Sequence, residues 1–252
     1  DPTSVEGSST LPYAIPNMSV GLTSTKVGVP VLWWRSVGST HTGYATEVFL
    51  DEIIDAVGAD PVEYRLALLK DHPRHAAVLK LAAEKAGWGK ALPEGHSLGV
   101  SVHESFSSYV AQVAEVSVDG TDIKVHRVVA AVDVGTAINP DTIKAQIEGG
   151  VGFGLGAILQ EEITLTKGEV DQGNYDTYLP LRIDHMPQVE VHIMPSTEPP
   201  TGVGEPGVPP IGPAVANAVF RASGRRIRTL PFSKLRLTFS GREGWISKVR
   251  VL

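Results

Sequence analysis

The strongest periodic pattern of apolar residues lies between residues 44 and 69. Its apolar positions recur at helical spacing, opposite a face of acidic residues: Val48, Ile53, Ile54 and Val57. Gly58 interrupts this pattern, and Asp60 before Pro61 is typical of a helix N-cap followed by the first helical residue. The pattern therefore predicts two consecutive helices with a short break between them.

A third helix is predicted over residues 74–88, with its end at Gly87. After Gly95 the apolar residues recur at every second position, and β-branched residues become frequent. This change predicts three strands, over residues 96–106, 108–120 and 123–135. The sequence VDGTDIKV, which joins the last two, is typical of a hairpin turn.

The second half of the chain mixes the two periods. Residues 139–163 predict a helix with a glycine-rich middle, and residues 188–194 predict a strand. Residues 214–223 predict a last helix, which Pro213 opens and Gly224 closes. Helices and strands do not alternate regularly, so the sequence favours an α+β fold over a doubly wound sheet.

Composition and charge exclude several classes of function. The chain has 252 residues, 42% of them hydrophobic, which is enough for one large core or two ordinary domains. A net charge of −6 without a long basic stretch argues against nucleic acid as a partner. The short basic segment 224–236 is predicted to be solvated surface or the rim of an interface.

Metal ligation by side chains is not expected. The chain contains no cysteine, which excludes disulfides, zinc–thiolate sites and iron–sulfur ligands within it. Its eight histidines are scattered without the spacing of a ligand set. Any metal in the functional site would therefore have to be held by something other than this chain.

Residues 149–157 are rich in glycine and contain a Gly-x-Gly-x-x-Ala pattern. The dinucleotide-binding fingerprint requires a strand before such glycines, whereas the residues before these predict a helix. We therefore interpret them as helix positions that let another backbone, or a flat cofactor, approach closely. Gln146 lies one turn earlier, where it is either solvated or offers a donor and an acceptor to a planar amide-like ring.

Residues 31–39 place two tryptophans and Arg35 just before the strongest helix pattern. One interpretation is a pair of core tryptophans next to a loop that caps the helix. The other is a loop whose backbone and Arg35 face a polar ligand, with aromatic walls beside it. The residue types alone leave both interpretations open.

Glu205 is the only ionisable side chain between residues 201 and 213, a segment dominated by glycine and proline. Gly204 and Pro206 flank it, and a backbone held in this way loses little entropy when the carboxylate is aimed. Such a carboxylate can take a proton from water or a hydroxyl during attack on carbon. The same features are typical of a solvated turn, so the segment by itself does not decide between the two.

Several long motifs, in order along the chain, resemble one family. The segment TGVGEPGVPPIGPAVANAVFRASGRRIRTLP closely resembles the C-terminal signature of the molybdenum hydroxylases, the xanthine oxidase family. The likeness is sharpest to large subunits of the isoquinoline 1-oxidoreductase and bacterial aldehyde dehydrogenase type. Three further segments resemble the family's arginine loop, its cofactor-contacting helix and the stretch that leads to its acid: 33–69, 130–163 and 173–194.

The resemblance implies roles for individual residues. Glu205 matches the base that deprotonates the hydroxyl on molybdenum, and Gln146 matches the glutamine that hydrogen-bonds the pterin. Arg35, Ser36 and Val37 match the loop packed against the metal, and Gly204 is expected at the cofactor beside Glu205. Ser36 and Val37 stand where the xanthine oxidase branch often has glycine and phenylalanine, so a purine substrate is not expected.

The resemblance also implies an activity and its partners. It implies an oxidoreductase that hydroxylates an aldehyde or an N-heteroaromatic compound with water as the oxygen source. The metal would be held by molybdopterin, in its cytosine dinucleotide form. Electrons would leave to [2Fe-2S] clusters on a small iron–sulfur subunit, and from there to a cytochrome or another acceptor.

Only part of such a large subunit is expected here. Residues 1–95 would form a first cofactor-binding segment with the arginine loop, and residues 96–252 a second with the glutamate loop. A second polypeptide would supply the N-terminal part of the large subunit, including the glycine-rich loops for the other side of the pterin. The alternative is a scaffold or maturation relative that keeps the fold without the metal.

Overall fold

The computed structural model describes residues 1–239. Their helices are α1 to α5: Val37–Ala56, Pro61–Leu68, Pro73–Ala86, Pro140–Leu159 and Ile211–Ser223. Their strands are β1 to β7: His96–Ser105, Ser108–Asp119, Asp122–Asp133, Leu165–Thr166, Glu169–Val170, Gln188–Ile193 and Thr238–Phe239. Each predicted helix and strand has a counterpart among these elements, and the predicted α+β class is confirmed.

One five-stranded sheet organises the fold. Strands β1, β2 and β3 pair antiparallel in sequence order, whereas β6 and β7 both pair parallel to β3. The predicted hairpin joins β2 to β3, and Gly120 supplies its positive φ of 59°. Strands β4 and β5 form a separate two-stranded ribbon.

Helices cover both faces of the sheet. Val113 lies in an apolar cluster with α2 and α3, and its neighbour Ala114 lies in a second cluster with α4 and α5. Helix α1 contributes to both clusters. The predicted boundary after residue 95 lies in the loop between α3 and β1, and the division into two cofactor-binding segments stays a prediction.

Local signals set most helix ends. Asp60 caps α2, since its Oδ1 accepts from the backbone nitrogens of Val62 at 2.8 Å and Glu63 at 2.9 Å. Gly87 ends α3 in the left-handed conformation, with φ of 76°. The last helix begins at Ile211 rather than at Pro213, because proline is tolerated anywhere in a first turn whose N–H groups lack intrahelical partners.

The apolar stripe of the first predicted helix is only half correct. Val48 and Ile54 are buried, but Ile53 is 39% exposed and Val57 is 60% exposed. The face that packs inward instead carries the acidic residue Asp51, with no exposed surface. The charge of Asp51 is matched by arginines, including Arg226 at 2.9 Å.

The basic segment 224–236, predicted to be solvated surface or the rim of an interface, is partly buried within the chain itself. The Arg226 side chain is 11% exposed and reaches both Asp51 and Asp55. Ile227 and Phe232 in the same segment are fully buried. None of the helices within residues 1–239 is long and apolar enough to cross a lipid bilayer.

Candidate active site

Residues 201–210 form a loop that carries Glu205 and leads into α5, and we call it the glutamate loop. Five side chains donate to five of its carbonyl oxygens: Ser108 to Gly202, Arg35 to Gly204, Ser36 to Glu205, Gln112 to Gly207 and Ser101 to Pro210. These bonds are between 2.5 and 2.9 Å long. The loop thus has a fixed course although it is neither helix nor strand.

Ser36 binds Glu205 twice. Its backbone nitrogen donates to Oε1 of Glu205 at 2.9 Å, and its hydroxyl donates to the Glu205 carbonyl at 2.7 Å. Ser36 is the N-cap of α1 and has no exposed surface. The carboxylate therefore lies at a helix N-terminus, where backbone N–H groups and the helix dipole favour negative charge.

The backbone at this point is unusual. Ser36 has φ of 71° and Val37 has φ of 49°, and both lie in the left-handed region that side chains other than glycine rarely adopt. For the β-branched Val37 this conformation costs of the order of 1–3 kcal/mol. The loop of residues 35–37 thus stores local strain where it holds Glu205.

Arg35 links three parts of the molecule. Its Nε and Nη2 atoms donate to the carbonyl of Gly204 at 2.9 and 2.6 Å, and Nη2 also donates to Oε1 of Gln146 at 3.1 Å. Its guanidinium lies over the ring of Phe153 on α4, 5.5 Å from the centroid. The structure thus brings Arg35, Gln146 and Gly204 together, although they are far apart along the chain.

The tryptophans beside Arg35 are not core residues. Trp33 is 66% exposed and Trp34 is 41% exposed, so the interpretation as a core pair is wrong. The ring of Trp34 packs on Phe153 with a centroid distance of 4.7 Å. The rings of Trp34 and Phe153 form an aromatic wall next to Arg35.

The glycine-rich middle of α4 packs against the glutamate loop. A Cβ on Gly150 would lie 3.0 Å from Cα of Gly207, and a Cβ on Gly154 would lie 3.2 Å from the carbonyl oxygen of Val208. The sequence left two partners open for these glycines, another backbone or a flat cofactor. The structure shows that they pack against another backbone, that of Gly207 and Val208. The loop can approach the helix closely only because side chains are absent.

An open polar face lies beside this packed region. No atom lies within 4 Å of a Cβ built on Gly149 or on Gly204. The amide nitrogen of Gln146 and the Oε2 atom of Glu205 make no hydrogen bond to any part of the chain within residues 1–239. The face thus offers one donor and one acceptor next to open space, which fits the polar edge of a flat cofactor.

Sequence reasoning missed the anchors on the strands. Gln112 is completely buried in β2, and Ser101 and Ser108 are also buried. One feature of the sequence could have identified them: a polar residue stands at a strand position where the alternating pattern predicts a side chain that faces the core. Such a residue has to bond to something inside the protein, and here it bonds to the glutamate loop.

No side chains in the described part of the chain assemble a metal site. Groups of three or more histidine, aspartate or glutamate residues placed to hold an ion do not occur among residues 1–239. His75 and His103 are both buried next to one small cavity that is also lined by Glu47 and Tyr13. Burial lowers the pKa of His75 to about 3 and that of His103 to about 4, so both are neutral in the folded protein.

Comparison with known proteins yields both a domain family and longer relatives. A family described as a molybdopterin cofactor-binding domain matches residues 74–187. Subunit beta of isoquinoline 1-oxidoreductase from Brevundimonas diminuta is 35% identical over 224 residues, or 87% of this chain and 29% of that protein. A membrane-bound aldehyde dehydrogenase (pyrroloquinoline-quinone) from Gluconacetobacter polyoxogenes is 36% identical over 220 residues, or 79% of this chain and 28% of that protein.

The chain spans less than a third of either relative. Its fold is shared with the crystal structure of an aldehyde oxidoreductase from Desulfovibrio desulfuricans ATCC 27774. That likeness has a TM-score of 0.62 and covers 79% of this chain and 40% of the other, at 14% sequence identity.

Proposed function

This chain belongs to the xanthine oxidase family of molybdenum hydroxylases, as part of the molybdopterin-binding large subunit, and on that premise we propose that it supplies the catalytic base of an oxidoreductase. The enzyme hydroxylates an aldehyde or an N-heteroaromatic compound with water as the source of oxygen. The names of the two relatives support these two substrate classes. Pyrroloquinoline-quinone appears in the name of one of these two relatives only. The matched family is a molybdopterin cofactor-binding domain, so we propose molybdopterin as the cofactor.

The geometry around Glu205 is the observation that carries the proposal. One carboxylate oxygen, Oε1, accepts from the backbone nitrogen of Ser36, and the other, Oε2, has no hydrogen-bond partner within residues 1–239. A carboxylate held by one oxygen is oriented, and its other oxygen can accept a proton. In this proposal Glu205 Oε2 takes the proton of the attacking oxygen nucleophile.

We assign the cofactor to the open face beside Glu205. When bound, molybdopterin supplies a molybdenum centre with its own sulfur ligands, which can take two electrons from the substrate. The Gln146 amide nitrogen would donate to the pterin, and Arg35 fixes that amide by bonding its oxygen. Val37 and Gly204 would line the same side, and Ser36, which has no exposed surface, would act there by holding Glu205. The cytosine dinucleotide form is proposed by family resemblance.

Other polypeptides complete the proposed enzyme. Because the chain spans 29% or less of the relatives' length, much of the cofactor site would lie on the part of the large subunit that this chain does not span. A small iron–sulfur subunit with [2Fe-2S] clusters would accept the electrons and pass them to a cytochrome or another carrier. Residues 1–95 contribute Arg35 and Ser36 to the proposed site, and residues 96–252 contribute Gln146 and Glu205.

Replacement of the proposed base tests this function. Glu205→Gln in the purified complex keeps the size of the side chain and removes its basicity, so turnover of aldehydes and N-heteroaromatics should fall about 100-fold or more, with molybdenum content unchanged. The matched control is Glu169→Gln, at an exposed acid in β5, which should leave turnover unaltered. Turnover retained in Glu205→Gln would contradict the assignment, and a wild-type complex free of molybdenum would favour the scaffold alternative.

A further inference from the structure

Residues 14–34 form an extended segment, which we call the arm, and every residue in it is exposed. Large apolar side chains of the arm are 40% to 92% exposed: Ile15, Met18, Val20, Leu22, Val27, Val29, Val31, Leu32, Trp33 and Trp34. Lys26 is its only charged residue. A solvated segment is normally polar and charged, so this composition is typical of a surface that another protein covers.

Between its two ends, the backbone of the arm is also unpartnered. Residues 16–33 take part in no backbone–backbone hydrogen bond with the rest of residues 1–239. Apolar residues nevertheless alternate in two runs, 18–22 and 27–31, with the period of a β-strand. The arm therefore has the sequence of two strands and lies outside every sheet that the structure describes.

Both ends of the arm are fixed. At one end Tyr13 is buried, and the backbone nitrogen of Ala14 donates to the carbonyl of Leu68 at 2.9 Å. At the other end Trp34 packs on Phe153, next to Arg35. The arm is thus a loop with anchored ends that leads directly into the proposed active site.

We propose that the arm docks onto the remaining part of the molybdopterin-binding subunit and adds β-strands to a sheet there. This inference rests on the proposed function. The curated relatives are more than three times as long as the matched segment, so the partner surface lies on the portion of the subunit that this chain does not span. An apolar strand with free N–H and C=O groups is suited to pairing with a sheet edge, and its tryptophans are typical interface residues.

Docking would also affect the site. Trp34 and Arg35 are consecutive, so a partner that fixes the arm also limits the movement of Arg35. Arg35 in turn holds Gly204 and Gln146 through hydrogen bonds. Assembly of the large subunit therefore orders the two residues that flank the cofactor face.

The test uses the purified complex that holds both this chain and the remaining portion of the large subunit, each identified by mass spectrometry. Amides of residues 16–33 should exchange with deuterium at least tenfold more slowly in the complex than expected for free backbone. An amine-reactive cross-linker on Lys26, the only lysine of the arm, should join the chain to that portion. Free exchange of these amides, or cross-links only to a second copy of this chain, would overturn the proposal.

Charge substitutions give an independent readout. Val29→Asp and Val31→Asp place a carboxylate on an exposed arm residue, so they leave the fold of this chain intact and should weaken assembly at least tenfold. Val57→Asp is the matched control, at the C-cap valine that follows α1 and is 60% exposed, and should assemble normally. Normal assembly of both arm variants would contradict docking through the arm. Glu205→Gln separates the two proposals, because it should abolish turnover and leave assembly and amide protection unchanged.

Discussion

Gln112 lies in β2 with its side chain fully buried, and its amide nitrogen donates to the Gly207 carbonyl at 2.9 Å. It contacts no atom that would react, so it acts as a positioning residue for the glutamate loop. Ser36 performs the corresponding task from the other side, by bonding both the backbone and the carboxylate of Glu205. At this scale the site depends on hydrogen bonds between residues far apart in sequence.

Gln112→Leu should destabilise the protein and loosen the loop. The change keeps the approximate size of the side chain but leaves the buried Gly207 carbonyl without its donor, which costs about 1–3 kcal/mol. Urea unfolding measures that loss, and turnover of the complex should fall as Glu205 becomes less well oriented. Gln188→Leu, at an exposed glutamine of β6, is the control and should change neither quantity. Equal unfolding midpoints for the two variants would argue against the anchoring role.

At the scale of elements, two helices and a loop make the site. Helix α1 presents its N-terminus to Glu205, and α4 lies against the glutamate loop. The loop then continues into α5, which packs closely on β1: a Cβ on Gly99 would lie 2.1 Å from the carbonyl oxygen of Ala214. Glu205 is therefore held by elements that are themselves packed on the sheet.

Adjacent glycines of α4 offer a matched pair of variants. Gly150→Ala should displace the glutamate loop, because the new Cβ would lie 3.0 Å from backbone atoms of Gly207, and should destabilise the protein by about 1–3 kcal/mol. Gly149→Ala meets no atom within 4 Å and should raise stability by up to about 1 kcal/mol through helix propensity. Thermal unfolding of both variants measures the difference. An increase in stability for Gly150→Ala would show that the loop does not need this close approach.

Sequence patterns predicted the elements because the signals are local. Asp60, Gly87 and Gly120 act on their own neighbours, and alternation along a strand follows from its own geometry. The start of α1 at Val37 could not be predicted in this way, since it depends on the Ser36 contacts with Glu205. Likewise Ile53 is exposed because the inward face of α1 is occupied by Asp51 and its arginine partners.

The candidate site was predicted through family motifs rather than through its contacts. The motifs named Glu205, Gln146 and Arg35, and the family that they indicate is confirmed. Their roles stay predictions until the variants are measured. The bonds from Gln112 and Ser101 could not be predicted, because a buried polar side chain requires a partner without identifying which one it has.

At the scale of the whole molecule, buried charges hold the helices around the sheet. Arg65 is fully buried and bonds Glu47 at 3.0 Å, and Asp51 bonds Arg221 at 2.8 Å and Arg226 at 2.9 Å. These pairs join α1 to α2, to α5 and to the segment after α5. Arg65, Glu47 and Asp51 are buried, and a buried charge is costly to leave without its partner, so these elements are tied together.

Stability of the whole protein should fall in mild acid. The pKa of His75 is lowered to about 3 and that of His103 to about 4, mainly because burial disfavours the charged ring, compared with 6.5 for an ordinary histidine. Unfolding therefore takes up protons below pH 6.5, and the stability present above that pH is lost as the pH falls toward 4. Each histidine contributes a slope of about 1.4 kcal/mol per pH unit.

Urea unfolding between pH 7.5 and 4.5 measures this slope. His75→Phe keeps an aromatic ring next to Tyr109, which His75 meets edge-on at 4.7 Å, and should reduce the slope by one proton. A slope equal to that of the unsubstituted protein would mean that His75 does not take up a proton on unfolding.

The anchors of the glutamate loop act on main-chain oxygens, which every amino acid has. A substitution at the exposed Gly202, where a Cβ would meet no atom closer than 3.8 Å, therefore changes the outer surface of the loop and keeps the bonds from Ser36, Gln112 and Ser101. Sequence change on the exposed side of the loop is thus uncoupled from the position of Glu205.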